Sequence, residues 1–253
     1  MDEMCPICLK QTLTVSPAIR LSCGHVVHYK CCTSSLEQRW RGPRISFGFI
    51  FCPICHAAFD HPLLKNLLKP LLRLKDDLEE RALKQLEYDD SIDRSEITTP
   101  GGKYYNRPAN FAVDKYVYFQ CHNCFKPYFV GDAVCQLLES LNSMHDFDPE
   151  ECLCGGCSNV IGASRCIQHG TDCLQYKCRF CCSMAAYFFD GSIHCCISCR
   201  EIVYALVKLK PGDLRQCPTD SRNRIIPFCP LQIPHSPSGV EFCFRCSDCN
   251  YCL

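Results

Sequence analysis

"CPICLKQTLTVSPAIRLSCGHVVHYKC", residues 5–31, and "CPIC", residues 52–55, decide the fold of the first part of this chain. Eight residues able to ligate a metal fall there in pairs: Cys5 and Cys8, Cys23 and His25, His28 and Cys31, Cys52 and Cys55. Thiolate sulfur and imidazole nitrogen are the donors zinc takes, four to an ion. Two zinc ions would use all eight, leaving no open coordination position for a reacting water, so both ions are expected to be structural.

The order of the pairs, with histidine at the fourth and fifth places, is a RING-H2 signature. A cross-braced RING interleaves its pairs. One ion then takes Cys5, Cys8, His28 and Cys31, and the other Cys23, His25, Cys52 and Cys55. Ile7 lies inside the first Cys-Pro-Ile-Cys turn, Pro53 inside the last, and Trp40, the single tryptophan, ends the helical stretch "CTSSLEQRW". RING domains bind a ubiquitin-conjugating enzyme (E2) through an apolar groove built from those three places, and a tryptophan there suits an anchor of such a groove. The plainer alternative is that all three only fill a small domain. His56 stands where many activating RINGs carry an arginine or lysine, and its weaker charge near neutral pH leaves RING-only activation open.

Cysteine supplies 27 of the 253 residues. No export signal is read at "MDEMCPICLK", so a reducing compartment, cytoplasmic or nuclear, is expected, where cysteine at this density binds metal in preference to forming disulfides. No apolar run reaches the length of a membrane span. Lysine plus arginine and aspartate plus glutamate each number 27, so no net field draws the chain to nucleic acid or acidic lipid, and protein partners are expected. Apolar residues make up 47% with cysteine counted, about 36% without it. Metal coordination is therefore expected to carry much of the folding free energy.

The fold class expected is a set of small α+β zinc-stabilised modules: a RING-H2 domain over 1–60, a helical linker over 61–95 and a multi-zinc tandem-cysteine domain over 96–253. Leucines at 64, 67, 68, 71, 74 and 78 form one apolar stripe of the linker, and Pro70 is expected to kink it or divide it in two. Its pattern is too short for a coiled coil, and it is expected to set the distance between the domains. After the polar loop "DRSEITTPGGKYYNRPANF" the ligand types resume: Cys121 and Cys124; Cys154 and Cys157; Cys166 and His169; Cys178, Cys181 and Cys182; His194, Cys196 and Cys199; Cys217, Cys229, His235, Cys246 and Cys249. These would serve about four further zinc ions, with the pairing left open. Short aromatic strands, "KYVYFQ" and "AAYFFD", alternate with these turns, and short helical runs fall near 136–143 and 200–208.

Cys32, Cys135, Cys152, Cys173, Cys195, Cys243 and Cys252 remain, with Cys182 uncertain between the two sets. Most are expected to be small buried hydrophobes. Cys135 differs, because it precedes the polar, turn-rich "NSMHDFDPEE" and lies between two metal-ligand pairs. Asp132 and Glu139 would not acidify it, so any reactivity must come from delivery of a thioester to it.

"PAIRLSCGHVVHYKCC", "RWRGPRISFGFIFCPIC", "EITTPGGKYYNRPANFAVDKYVYFQCHNC" and "HGTDCLQYKCRFCCSMA" closely resemble the Pam/Highwire family of large ubiquitin ligases, and the likeness covers nearly the whole chain. The resemblance implies a RING-Cys-relay ligase. Ubiquitin would pass from an E2 to an upstream cysteine on a mediator loop, then to a downstream cysteine, then to a substrate hydroxyl, preferentially threonine, as an ester. Cys135, following "GDAV", matches the upstream cysteine, and Glu151 in "DFDPEE" matches the glutamate beyond its loop. The downstream half diverges: Phe189 stands at the second cysteine position and Arg200 at that of the histidine base. Phenylalanine carries no thioester, and arginine takes no proton. Three outcomes stay open: Cys195 replaces the second relay cysteine with His194 or another histidine as base, Cys135 is the only acceptor, or the RING alone promotes transfer to lysine. A non-enzymatic zinc scaffold that binds E2 is the remaining alternative.

Overall fold

The computed structural model describes residues 3–133, 148–158, 166–171, 173–217 and 229–249. The chain forms two compact units, 1–77 and 78–253.

In the first unit β1 (Ala18–Arg20) pairs antiparallel with β2 (Val26–His28), Ile19 facing Val27. These two apolar side chains are buried, which sets the register. The turn between the strands holds Cys23 and His25, and Gly24 supplies its φ of +87°. Helix α1 (Tyr29–Gln38) follows directly and buries Cys32 and Leu36. It stops at Arg39, whose φ is +58°, so Trp40 lies just beyond the helix. A 3₁₀ turn (Gly48–Ile50) and a bridge between Phe51 and Ala58 bring in the last cysteine pair.

Helix α2 (Lys65–Tyr88) is continuous through Pro70, so of the two outcomes expected from the sequence, a kink or a division, the division does not occur. Pro70 and Asn66 are both exposed, so the Asn66 carbonyl that loses its helical partner can bond water. A 3₁₀ turn (Pro62–Leu64) precedes α2, capped by His61 Nδ1, which accepts from the Leu63 N–H at 3.2 Å. Leu64, Leu68, Leu71, Leu78, Ala82 and Leu86 are buried, a spacing of mostly three or four residues that keeps one face inward. The two units divide inside α2, between Asp77 and Leu78.

The second unit contains three two-stranded antiparallel sheets and four short helices, α3 (Ser95–Thr98), α4 (Pro108–Lys115), α5 (Ile197–Glu201) and α6 (Val203–Leu206), among its described residues. Strand β3 (Tyr116–Gln120) pairs with β4 (Pro127–Asp132), and β5 (Leu174–Lys177) with β8 (Phe242–Cys246). Strand β6 (Tyr187–Phe189) pairs with β7 (Ile193–Cys195) across a turn in which Asp190 and Gly191 have φ of +48° and +60°. The expected aromatic strands are thus β3 and β6, and the helical run near 200–208 is divided between α5 and α6. The run near 136–143 lies outside the described residues. Val117, Phe119, Val130, Phe180, Tyr187, Ile193 and Val203 form the main apolar core. No described helix is long and apolar enough to cross a membrane.

Candidate metal centres and the relay positions

A short local turn recurs wherever two cysteines stand three apart. In five of these turns the N–H of the residue after the second cysteine bonds back to the carbonyl of the first: Leu9 to Cys5 at 2.9 Å, His56 to Cys52 at 2.8 Å, Phe125 to Cys121 at 2.9 Å, Ser158 to Cys154 at 2.9 Å and Arg200 to Cys196 at 2.9 Å. In the first three of them the first cysteine's own N–H is bonded as well, to the Gln11, Ala57 and Lys126 carbonyls respectively. Where both bonds are made, Leu9, His56 and Phe125 have φ between +53° and +59°, a conformation that costs a residue with a Cβ roughly 1–2 kcal/mol. The strain holds both sulfurs of each pair on one side of the turn. In "CLCGGC", Gly155 is required for a different reason, because a Cβ there would overlap the Leu174 carbonyl.

These turns assemble into groups whose four donor atoms all lie within 4.8 Å of one another. Cys5, Cys8, His28 and Cys31 form one and Cys23, His25, Cys52 and Cys55 another, the interleaved pairing of a cross-brace. In the second unit the groups are Cys121, Cys124, Cys154 and Cys157; Cys166, His169, Cys246 and Cys249; and Cys178, Cys181, Cys196 and Cys199. Cys182 and Cys217 are in contact beside Cys229, and Cys229 Sγ lies 3.3 Å from His235 Nε2, which brings together a further set of four.

The distances fit zinc. Bonds of about 2.3 Å to sulfur and 2.0–2.1 Å to nitrogen put tetrahedral ligands roughly 3.5–3.8 Å apart. His28 Nδ1 is 3.8 Å from Cys8 Sγ and 3.6 Å from Cys31 Sγ, and His25 Nδ1 is 3.6 Å from both Cys23 and Cys52. Sulfur pairs stand at 3.6 Å for Cys124 and Cys154 and 3.7 Å for Cys181 and Cys196, far beyond a disulfide bond. The ring nitrogens facing away are held by backbone: His28 Nε2 donates to Thr12 O at 3.0 Å and His235 Nδ1 to Ser236 O at 2.8 Å. Such bonds fix the tautomer that leaves the other nitrogen free to ligate.

His194 is a correction to the ligand set read from the sequence. Its Nδ1 lies 2.8 Å from Glu241 Oε2 and its Nε2 2.9 Å from Ser158 Oγ, with the ring stacked on Tyr176 at 3.8 Å. Both nitrogens are engaged, and Cys178 takes the place in the four-donor group. The "Cys178, Cys181 and Cys182" cluster likewise divides, Cys182 joining the set with Cys217, Cys229 and His235. The sequence held a usable signal, since Cys178/Cys181 and Cys196/Cys199 have the turn spacing and His194 does not.

Among the non-ligand thiols, Cys32 and Cys152 are pushed up to about 12 by burial, and Cys173 and Cys243 to about 11. They behave as small hydrophobes. Cys195 is wholly buried and its thiol is raised further by desolvation, so it is neither accessible nor ionised for a second relay step. Cys135 and Cys252 lie outside the described residues.

Three positions set apart by the sequence meet in space. The Arg200 guanidinium grips Glu151 with two parallel hydrogen bonds, Nε to Oε2 and Nη2 to Oε1, the latter 2.7 Å. Its carbon lies 5.0 Å from the centre of the Phe189 ring, which meets Tyr204 edge-on at 5.3 Å. Sequence reading identified the three residues but not this closed pair. In the first unit Ile7 and Trp40 are half-buried and Pro53 is exposed, with Arg39 over the Trp40 ring at 5.9 Å and Phe49 at 6.4 Å.

A cross-braced pair of four-donor groups, followed by a domain of cysteine turns and two-stranded sheets, defines a RING-H2 module with a tandem-cysteine domain. No protein-family model matches the chain. Over 251 residues, 98% of its length, the chain is 41% identical to the E3 ubiquitin-protein ligase MYCBP2 of Danio rerio, and over the same length 42% identical to the E3 ubiquitin-protein ligase highwire of Drosophila melanogaster. Its likeness to these two members of the Pam/Highwire family runs over nearly its whole length, and it spans about 5% of the length of those relatives.

Proposed function

We propose that this chain is the catalytic module of an E3 ubiquitin-protein ligase that takes ubiquitin from an E2 thioester onto Cys135 and delivers it to a protein substrate. The observation that carries the ligase reading is its likeness, over 98% of its length, to two proteins named as E3 ubiquitin-protein ligases. Six zinc ions, two in the first unit and four in the second, hold the scaffold; their shells are closed, so they take no part in the chemistry. Ile7, Trp40 and Pro53 form the E2 groove. The Cys135 thiolate attacks the thioester carbonyl; its bond to that carbon forms as the bond to the E2 sulfur breaks, and the E2 cysteine leaves as thiolate. The substrate nucleophile then attacks the same carbonyl carbon directly, and as its bond forms the bond to Cys135 breaks and Cys135 leaves as thiolate.

A single station is favoured by the burial of Cys195 and by the engagement of Arg200 with Glu151. With arginine at the base position, a neutral lysine amine is a better acceptor than a threonine or serine hydroxyl, which needs a base as it attacks. The test mixes the protein with ubiquitin-charged E2 and separates the quenched products without reductant. A reductant-labile ubiquitin adduct that disappears in Cys135→Ser, or becomes a reductant-stable ester there, is expected, and Trp40→Ala should abolish it while zinc content stays constant. Discharge of the E2 onto free lysine with no adduct on Cys135 would replace this reading with a RING-only ligase, and no discharge at all with a scaffold.

A further inference from the structure

Lys177 ends β5 with none of its surface exposed. Lysine is almost never fully buried unless its charge is compensated, because removing an ammonium from water costs several kcal/mol. Its Nζ donates to the Cys178 carbonyl at 2.9 Å. That bond satisfies one of three N–H groups and supplies only a dipole, and among the described residues no carboxylate pairs with it.

The neighbouring donor groups carry the missing charge. Cys181 and Cys182 are consecutive yet belong to different groups, so two metal centres are joined by a single peptide unit. With a divalent ion bound, the four thiolates of Cys178, Cys181, Cys196 and Cys199 leave a formal charge of about −2, and three thiolates with His235 leave about −1. Two anionic centres this close repel strongly in a poorly solvated interior. Lys177 stands directly before the segment 178–182 that feeds both. The Lys177 ammonium lies close enough to act on the Cys182 and Cys217 thiols alike. The other cation of the segment, Arg179, is directed elsewhere, its Nε donating to Gly239 O at 3.2 Å.

We propose that Lys177 is the built-in counter-charge of this pair of metal centres and sets how firmly the centre formed by Cys182, Cys217, Cys229 and His235 retains its zinc. It is a positioning residue of the metal site, in contact with neither E2 nor substrate. The inference stands independently of the transfer chemistry proposed above.

The full chain, loaded with zinc, is mixed with the chromogenic chelator 4-(2-pyridylazo)resorcinol and release is followed by absorbance. In Lys177→Met, a fraction equal to one or two of the bound ions should leave at least about tenfold faster than in the wild type, with the rest unchanged, while Lys177→Arg should follow the wild type. Equal release from Lys177→Met and wild type, or release from Lys177→Arg as fast as from Lys177→Met, overturns the proposal. Should Lys177→Met fail to fold, amine acetylation of the wild type read by mass spectrometry decides it. Lys177 is expected to become reactive in step with loss of that fraction of zinc, and its modification in the fully loaded protein, or its continued protection after that fraction has gone, contradicts the assignment.

Discussion

In the first unit two donor groups interleave between Cys5 and Cys55, each assembled from pairs next but one along the chain. The second unit uses the same donors over much longer loops. Its group of Cys166, His169, Cys246 and Cys249 closes across 83 residues, and Cys178, Cys181, Cys196 and Cys199, together with the Cys182 set, lie inside that loop. Loop-closure entropy rises only slowly with length, so nesting costs little more than interleaving. What differs is dependence: a nested group holds strands far apart in sequence, as β5 and β8 are held beside Cys166 and Cys246, whereas the cross-brace holds a hairpin and a helix that are already neighbours.

Metal removal is the severest test of that contrast. Structural zinc contributes on the order of 10–16 kcal/mol in small domains, comparable to or above a typical net stability of about 5–15 kcal/mol. Excess chelator should therefore unfold both units, read as loss of the far-ultraviolet circular dichroism signal; full retention would mean that the apolar core suffices. Cys166→Ser sharpens the comparison. Amide protection should be lost over Leu174–Lys177 and Phe242–Cys246 while the β1–β2 hairpin stays protected.

Replacing Arg200 has a smaller effect. Arg200→Ala leaves the Glu151 carboxylate without its partner at a site where both side chains are more than four-fifths covered, and should cost about 3 kcal/mol in chemical denaturation. Arg200→Lys keeps the charge but loses the two-pronged geometry, and should fall between. Indifference to both changes would mean that the Arg200–Glu151 pair does not hold the Phe189 region together.

The smallest effect compares the same strained turn in the two units. Leu9→Gly and Phe125→Gly each relieve a positive φ but add flexibility to the unfolded chain, so a gain of up to about 1 kcal/mol is expected at both positions. Calorimetry of zinc-loaded protein reads it. A gain at Leu9 and a loss at Phe125 would show that the exposed phenylalanine ring makes a stabilising contact that its counterpart does not.

Several features were legible in the sequence because they are local. Two residues between cysteines dictate a turn, and leucines three or four apart dictate α2. The cross-brace was legible too, through the order of its eight ligands. His194 was misread because an imidazole beside "CC" looks like a ligand until Glu241 and Ser158, 47 and 36 residues away, arrive at its two nitrogens. Arg200 was recognised as unfit to be a base, yet its grip on Glu151, 49 residues earlier, was not visible.

By itself, then, the sequence determined the donor chemistry, the local turns and the likeness of the chain to the Pam/Highwire family, because each depends on residue type and short spacing. Only the tertiary structure decided which turns share a four-donor group in the second unit, that Cys195 is sealed in the core, and that Lys177 is buried at the end of β5. Those facts depend on contacts between residues distant along the chain, which the path of the backbone brings together and no local pattern records.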